Sequence, residues 1–253
     1  LVTWQESQER RTLLDRSWQA IQSELQPIQQ AIKALPELPD REQIRWAQSV
    51  LALPNLAFME IDTTGLQLED ELIRFTLVDG QGQIIEDCLI KPISRVLTNT
   101  VSAINGIPPE QLERDGLALP VAWERIQRAV SGRYIISYGQ DWDLNMLTQV
   151  ATRQTLEPLL IIGDDLQRHC TQYYQREYYL KLAELCARVN SPLPEPPAQT
   201  AWDRAKGQRA VLNGIAAGVT DLRPVKPQTA TATVDVTNEE DDDPLASLDE
   251  HPF

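Results

Sequence analysis

Cysteine, histidine and long apolar segments are scarce in this chain, and each scarcity excludes a class of protein. The three cysteines, Cys88, Cys170 and Cys186, stand far apart in no Cys-x-x-Cys spacing, which argues against a disulfide framework and a zinc site. No apolar run approaches the roughly 20 residues of a membrane span, and the first residues lack the apolar segment of a signal peptide. We therefore expect a soluble protein without a membrane partner, with the cytoplasm as its location.

A basic surplus is also missing. The 37 acidic residues outnumber the 23 lysines and arginines, and the formal net charge is −14. Residues 219–253 contribute half of this excess, with 9 acids against 2 bases. Proteins that hold phosphate backbones tightly usually carry a basic patch, so any nucleic-acid binding here is expected to be weak, local or metal-dependent.

The N-terminal segment has the apolar spacing of a helix with a heptad seam. The seam residues are Leu14, Trp18, Ile21, Leu25, Ile28, Ile32 and Leu35, spaced alternately by four and three. Pro27 lies inside this segment and predicts a kink or a break. Packing of the helix against its own domain is favoured over self-association, and both stay open. Asp40 can cap a second helix that ends near Leu51.

Three regions follow from these patterns: a helical extension over 1–52, a central domain over 53–218, and an acidic tail over 219–253 that is expected to be disordered. In the central domain, an apolar strand near Leu56 precedes a β-hairpin over 72–90, which turns at Asp79-Gly80-Gln81-Gly82. The pattern then predicts helices over 119–130, 141–153 and 200–218, two more between 165 and 190, and strands over 134–138 and 159–162.

Two acids at the end of the first strand indicate a metal site. Side chains alternate along a strand, so Glu60 and Asp62 lie on the same side while Ile61 points into the core. Asp143 follows the strand at 134–138, and Asp203 lies in the last predicted helix. Taken alone, Asp143 is more simply interpreted as a helix-capping or solvated acid, and Asp203 is more simply interpreted as a surface acid. Their order along the chain favours convergence of all four.

The segment Glu60-Ile61-Asp62-Thr63-Thr64-Gly65-Leu66 resembles the first motif of the DnaQ-like, or DEDD-type, 3′–5′ exonucleases, with the two acids interchanged. The segments Tyr138–Leu147 and around Asp203 are similar to the second and third motifs, and Ile104-Asn105-Gly106-Ile107 resembles the His-Gly-Ile turn. The resemblance covers about residues 53–217. It implies an α/β, RNase H-like fold, with a mixed five-stranded sheet flanked by helices.

The resemblance also implies a mechanism and its residues. Two Mg²⁺ or Mn²⁺ ions would be held by Glu60, Asp62, Asp143 and Asp203 as metal ligands and catalytic residues. Thr63, Thr64, Leu66 and Trp142 would contact the terminal nucleotide of a single-stranded DNA or RNA 3′ end. The interchanged acids and a missing base depart from the family pattern.

A general base is absent at the positions where the family places it. A His stands five residues, or a Tyr four residues, before the last acid in that family, whereas Ala198 and Gln199 occupy those positions here. His169 is read as a surface or partly buried helix residue. A missing general base costs about 10² to 10⁴ in rate. The sequence therefore predicts a slow or specialised 3′–5′ exonuclease, with a catalytically impaired binding or scaffolding module as the alternative.

The C-terminal tail carries a separate hypothesis. Asp241-Asp242-Asp243 and Asp249-Glu250 precede a terminal Pro252-Phe253. This arrangement resembles the acidic tip of bacterial single-strand-binding proteins, which implies a replication or repair protein as its partner. A solubilising tail without a partner is the simpler interpretation.

Overall fold

A computed structural model describes residues 3–34, 39–67 and 69–219. These residues divide into two units. The first is a single helix, α1, Trp4–Ala34. It continues through Pro27, so the predicted break does not occur. Leu35, the last residue of the heptad seam, and the acidic tail from residue 220 onward lie outside the described residues, and their roles stay predictions.

The second unit begins at residue 39 and contains the sheet. In chain order its elements are α2 Arg41–Leu51, β1 Leu56–Thr63, β2 Leu72–Asp79, β3 Ile84–Leu89, α3 Asn99–Asn105, α4 Pro109–Asp115, α5 Leu119–Val130, β4 Tyr134–Ser137, α6 Gln140–Arg153, β5 Ile162–Asp165, α7 Leu166–Tyr173, α8 Leu182–Arg188 and α9 Ala201–Ala216. Among the described residues, no helix combines the length and the apolar character that a membrane span requires.

Within the described residues the sheet is mixed, with five strands in the order β3-β2-β1-β4-β5. β2 and β3 form the predicted antiparallel hairpin, and β1 pairs antiparallel with β2 on one side and parallel with β4 on the other. The predicted fold class is therefore confirmed. Because β1 and β4 are parallel, their carboxyl ends meet at the same edge of the sheet, and residues that follow either strand are brought together there.

The two faces of the sheet are covered by different helices. Ala57, Met59 and Ile61 of β1 belong to a core cluster with residues of α5 and α6, including the buried Trp123 and Ile126. Side chains alternate along a strand, so the even-numbered residues of β1 face the opposite side, where α9 packs. The functional side chains described below lie on this second face.

Strand β5 begins at Ile162, three residues later than predicted, because close backbone packing fixes its position. Gly163 lies opposite Ile135 of β4 in the parallel register. A Cβ atom at residue 163 would stand 1.6 Å from the Ile135 carbonyl oxygen, so only glycine fits there. The apolar residues 159–161, which had been predicted as the strand, lead into it, and Leu159 and Ile161 pack against the core.

Within the second unit, helix α2 contacts α7 through a polar cluster around His169. The Trp46 ring stacks on the imidazole with centroids 3.4 Å apart, and His169 Nδ1 lies 2.6 Å from Gln43 Oε1. Asp164 accepts hydrogen bonds from Trp46 Nε1 at 3.0 Å and from the Tyr134 hydroxyl at 2.7 Å. As predicted, His169 is a partly buried helix residue, with 16% of its side chain exposed.

This cluster should make stability depend on pH. Burial lowers the pKa of His169, and the charge of Asp164 opposes that shift without cancelling it. The unfolded chain therefore takes up a proton on His169 more readily than the folded chain, and stability should fall as pH falls below about 6.5. We expect the free energy of unfolding, measured in urea, to decrease between pH 7 and pH 5 relative to that of a variant without this histidine.

The matched variant is His169→Gln, which should lack this contribution over that interval, because glutamine does not titrate. Burial tends to raise the pKa of Asp164, but the hydrogen bonds from Tyr134 and Trp46 outweigh it and lower this pKa. Its contribution is present above about pH 4 and is lost at lower pH in both proteins. An equal slope for both proteins between pH 7 and pH 5 would contradict the role of His169.

Candidate functional site

Three of the four predicted acids come together at the carboxyl edge of β1 and β4. Glu60 and Asp62 leave β1 on the same face, while Ile61 packs in the core on the other face. Asp143 lies in the first turn of α6, directly after β4, and is 8% exposed. All three carboxylates line one pocket of about 350 Å³. This convergence follows from the parallel pairing of the two strands.

The structure places the fourth predicted acid elsewhere. Asp203 Oδ2 accepts hydrogen bonds from the Thr200 backbone nitrogen at 3.0 Å and from the Thr200 hydroxyl at 2.6 Å. The Asp203 nitrogen donates in return to Thr200 Oγ1 at 3.2 Å, which completes a capping box at the start of α9. Asp203 does not line the pocket of the other three acids. Its carboxylate therefore closes a helix end, and the prediction that it joins them is corrected.

The next residue of α9, Arg204, points into the acid cluster instead. Its Nε donates to Glu60 Oε2 at 2.9 Å, and its Nη2 donates to Asp62 Oδ1. One turn later, Gln208 is fully buried and donates to the Met59 carbonyl at 3.0 Å and to Glu60 Oε1. A cationic side chain is thus bound between the two acids of β1, where the sequence analysis expected a fourth acid.

The cluster is buried, and burial dominates its electrostatics. Removal from water raises the pKa of Glu60 and of Asp62, and the neighbouring Arg204 charge opposes this shift. The pKa of Asp143 is raised well above its ordinary value, first by burial and then by the charge of Glu60. Burial disfavours the guanidinium ion of Arg204, but the charges of Glu60 and Asp62 outweigh this, and its pKa is raised. Arg204 and its two acids therefore form a charged, mutually dependent group.

The residues present do not fit a pair of divalent ions. Mg²⁺ requires a nearly octahedral set of oxygen ligands. Asp62 Oδ2 is buried and accepts no hydrogen bond from the described residues, but both oxygens of Glu60 and the other oxygen of Asp62 are engaged by Arg204 and Gln208. The guanidinium ion of Arg204, which is bound to both acids of β1, also repels a metal cation. Within residues 3–34, 39–67 and 69–219, no three His, Cys, Asp or Glu side chains are grouped to hold a metal ion.

No general base is found at the corresponding positions before Arg204 either. If Arg204 stands where the family places its last acid, the residues five and four positions earlier are Gln199 and Thr200. Gln199 Nε2 donates to the Pro194 carbonyl at 3.2 Å, and Thr200 belongs to the cap of α9. Neither side chain accepts a proton at neutral pH.

The walls of the pocket include three of the four residues predicted to contact a nucleotide. Thr63, Leu66 and Trp142 line it, whereas Thr64 does not. The Thr64 hydroxyl donates to Asp70 Oδ1 at 3.0 Å and accepts from the Glu71 nitrogen at 3.0 Å, so it fixes the turn after β1. The remaining lining residues include Val101, Ile104, Asn105, Tyr138, Leu182 and Arg204. The pocket therefore combines an apolar wall with an acid cluster at its base.

A signal for Arg204 was present in the sequence. Thr200-x-x-Asp203 has the spacing of a capping box, which assigns Asp203 to the helix end. Arg204 lies four, seven and eleven residues before Gln208, Val211 and Ile215, all of which are buried. This spacing places Arg204 on the inward face of α9.

No family model matches the chain. A curated relative, an uncharacterised exonuclease, CP81, of Escherichia phage 186, is 29% identical over 104 residues. The match covers 40% of this chain and about half the length of that relative. The sequence similarity to this relative is thus partial.

The nuclease domain of 3′hExo, a DEDDh family member bound to rAMP, matches with a TM-score of 0.52 at 16% identity. That match covers 65% of this chain and 93% of the other. Exonuclease I of E. coli, in complex with a dA16 oligonucleotide, matches with a TM-score of 0.53 at 15% identity, over 66% of this chain and 41% of the other. The protein has the DnaQ-like exonuclease fold.

The resemblance read from the first motif is therefore confirmed as to fold. Within this DnaQ-like fold, the acids Glu60, Asp62 and Asp143 occupy one pocket, and Arg204 is bound to two of them. At such low identity the fold alone is shared, so the activity has to be argued from the residues of this chain.

Proposed function

We propose that this DnaQ-like protein binds the 3′ end of a single nucleic-acid strand in the acid-cluster pocket and does not hydrolyse it efficiently. The observation that carries this proposal is the ion-pair group of Arg204 with Glu60 and Asp62. The guanidinium ion neutralises Glu60 and Asp62 and takes the place that a metal ion would need between them. The fold and the pocket are retained, whereas the cation site and the general base are not.

The shape of the pocket supports a terminal nucleoside as the ligand. Its volume of about 350 Å³ lies within the range of about 300–1,000 Å³ that is usual for small-molecule sites. Leu66, Ile104 and Trp142 provide an apolar and aromatic wall, on which a base can stack without sequence preference. Asn105 donates to the Thr63 carbonyl at 3.3 Å and holds the polar edge of the pocket in place.

The charge of the protein supports recognition of an end rather than of a long backbone. The pocket base contains three acids and one arginine, and the whole chain carries a formal charge of −14. Few phosphates can be neutralised by such a surface. We therefore expect weak binding that depends only slightly on salt concentration.

A metal-dependent 3′–5′ exonuclease is the second candidate function. Convergence of Glu60, Asp62 and Asp143, together with the similarity to a phage exonuclease, favours it. This function requires Mg²⁺ or Mn²⁺ to displace Arg204 from the two acids of β1. The ion pairs of Arg204 disfavour that displacement, because both acids and the guanidinium ion would have to find new partners.

The two candidates are separated by binding and cleavage of one labelled oligonucleotide. We expect fluorescence anisotropy to detect binding of a single strand with a free 3′ hydroxyl, and at least tenfold weaker binding when that hydroxyl is replaced by a phosphate. Trp142→Ala should weaken binding about tenfold, since stacking contributes about 1–3 kcal/mol per base. Tyr178→Ala, which changes a 63% exposed aromatic residue outside the pocket, is the matched control and should bind as the unmodified protein does.

The same samples are then incubated with Mn²⁺ and analysed for shortening of the strand. Length should be preserved over a time in which an active exonuclease removes many nucleotides. Rapid shortening from the 3′ end that is abolished by Asp143→Ala would instead establish the metal-dependent exonuclease. Equal affinity for free and blocked 3′ ends would exclude end recognition.

A further inference from the structure

Helix α1 exposes a stripe of large apolar side chains that a solvated helix does not need. Trp4 lies in the same heptad register as the seam, two heptads before Trp18, and extends the stripe. Its members in the described helix are Trp4, Leu14, Trp18, Ile21, Leu25, Ile28 and Ile32. Their exposed fractions range from 42% for Leu25 to 77% for Trp4. Scattered exposed apolar residues are normal, but a contiguous row along one helix marks an interaction surface.

The spacing of this stripe specifies the kind of partner. Its residues are separated by four and three in alternation, apart from the interruption by Ser7 and Arg11, which is the a/d pattern of a coiled coil. Trp18, Leu25 and Ile32 occupy a positions, and Leu14, Ile21 and Ile28 occupy d positions. Pro27 falls at a c position, away from the seam, and the helix runs through it. A helix with the same repeat is therefore the complementary surface.

Flanking charges favour a parallel arrangement of copies. Arg10 is at a g position and Asp15 at the following e position, and these two positions face each other between parallel strands. Arg10 of one copy would pair with Asp15 of the partner subunit, and the pair repeats by symmetry. In an antiparallel pair these two positions lie on opposite sides of the interface, so Arg10 and Asp15 would not face each other.

The area available is sufficient for a stable assembly. Seven side chains of this size, each with about 100 Å² accessible, would bury about 700 Å² per copy, close to the ~800 Å² per partner of a standard interface. The helix has 31 residues, or about 46 Å at 1.5 Å per residue, which is long enough for about four heptads.

We propose that α1 assembles with α1 of further copies of this chain into a parallel coiled coil. Ile21 and Ile28 at d positions with Leu25 at an a position favour more than two strands. Arg11, at an a position, reduces stability and fixes the register, as polar residues at such positions do.

Two adjacent leucines provide a matched test in the full chain. Leu14 lies in the seam and is 68% exposed, whereas Leu13 lies at a c position and is 66% exposed. In sedimentation equilibrium at micromolar concentration, the unmodified protein and Leu13→Glu should have a mass that is a multiple of the chain mass. Leu14→Glu should have the monomer mass, or associate at least tenfold more weakly. Circular dichroism would establish that each variant is folded.

Exchange of charges then tests the parallel register. Arg10→Asp and Asp15→Arg should each weaken association, and the double variant should restore it. A monomeric unmodified protein at 100 μM, as expected if α1 packs against its own domain, would overturn the proposal. An equal effect of Leu13→Glu and Leu14→Glu, or no restoration in the double variant, would overturn the seam or the parallel register. None of these results depends on nucleic-acid binding.

Discussion

Replacement of Arg204 by aspartate is expected to create a binding site for Mn²⁺ that the unmodified protein lacks. The change removes the guanidinium ion from Glu60 and Asp62 and adds a fourth carboxylate on the inward face of α9. Clustered carboxylate oxygens are the ligands that Mg²⁺ and Mn²⁺ prefer. Isothermal titration should therefore detect Mn²⁺ binding to Arg204→Asp, with affinity at least tenfold above that of the unmodified protein.

Thermal unfolding gives an independent measure of the same site. Four buried carboxylates without a cation repel one another, so Arg204→Asp should be unstable in a chelator. Mn²⁺ at 100 times its dissociation constant should restore about 2.7 kcal/mol. The unmodified protein should show no such shift.

Lys206→Asp is the matched control, because it makes the same change of charge on the same helix. Lys206 Nζ lies 3.7 Å from the centroid of the Trp202 ring and is not part of the acid cluster. This variant should bind Mn²⁺ no better than the unmodified protein. If Arg204→Asp gains no Mn²⁺ affinity over Lys206→Asp, or if the unmodified protein already binds Mn²⁺ equally well, the assignment of Arg204 as the resident cation is wrong.

A gain of Mn²⁺ binding should not by itself bring a fast nuclease. Ala198, Gln199 and Thr200 provide no group that can deprotonate water, and the absence of a general base costs about 10² to 10⁴ in rate. The lack of a cation site and the lack of a general base are thus two separate departures from the exonuclease pattern.

The sequence was informative where a regular repeat or a strand end determines position. Alternation along β1 places Glu60 and Asp62 on one side and Ile61 on the other, as the structure shows. Asp143 follows a strand that pairs parallel with β1, so its arrival at the same edge was predictable from the helix-then-strand order. The acid pair and the hairpin could be predicted without knowledge of distant contacts.

The inward-facing residue of the last helix was harder to predict, because one step along a helix rotates the side-chain direction by about 100°. Asp203 and Arg204 are neighbours in sequence, but one closes the helix end and the other is bound to the acids of β1. Choosing between them requires the start of α9, which depends on the capping box of Thr200. Similarly, α3 and α4 have seven residues each and were not predicted, because their packing rather than their spacing stabilises them.

Removal of the positive charge at residue 204 without a substitute should strongly destabilise the fold. Arg204→Met leaves Glu60 and Asp62 buried without their partner, and loss of one member of a buried ion pair costs about 3–5 kcal/mol. Urea unfolding at pH 8 should show a loss of that size. Burial raises the pKa of both acids even in the unmodified protein, and removal of Arg204 removes the charge that opposes this shift.

The direction of the pKa shifts determines how this loss of stability depends on pH. A raised pKa in the folded state contributes stability at low pH, and that contribution is lost as pH rises through the folded value. Arg204→Met should accordingly recover stability as pH falls from 8 to 5, because the two acids become protonated. The triple variant Glu60→Gln, Asp62→Asn, Arg204→Met has no buried charge in this group and should regain most of the loss at pH 8. If the triple variant is as unstable as Arg204→Met, then Arg204 stabilises the fold by packing, and its role as the counter-ion of the β1 acids would have to be abandoned.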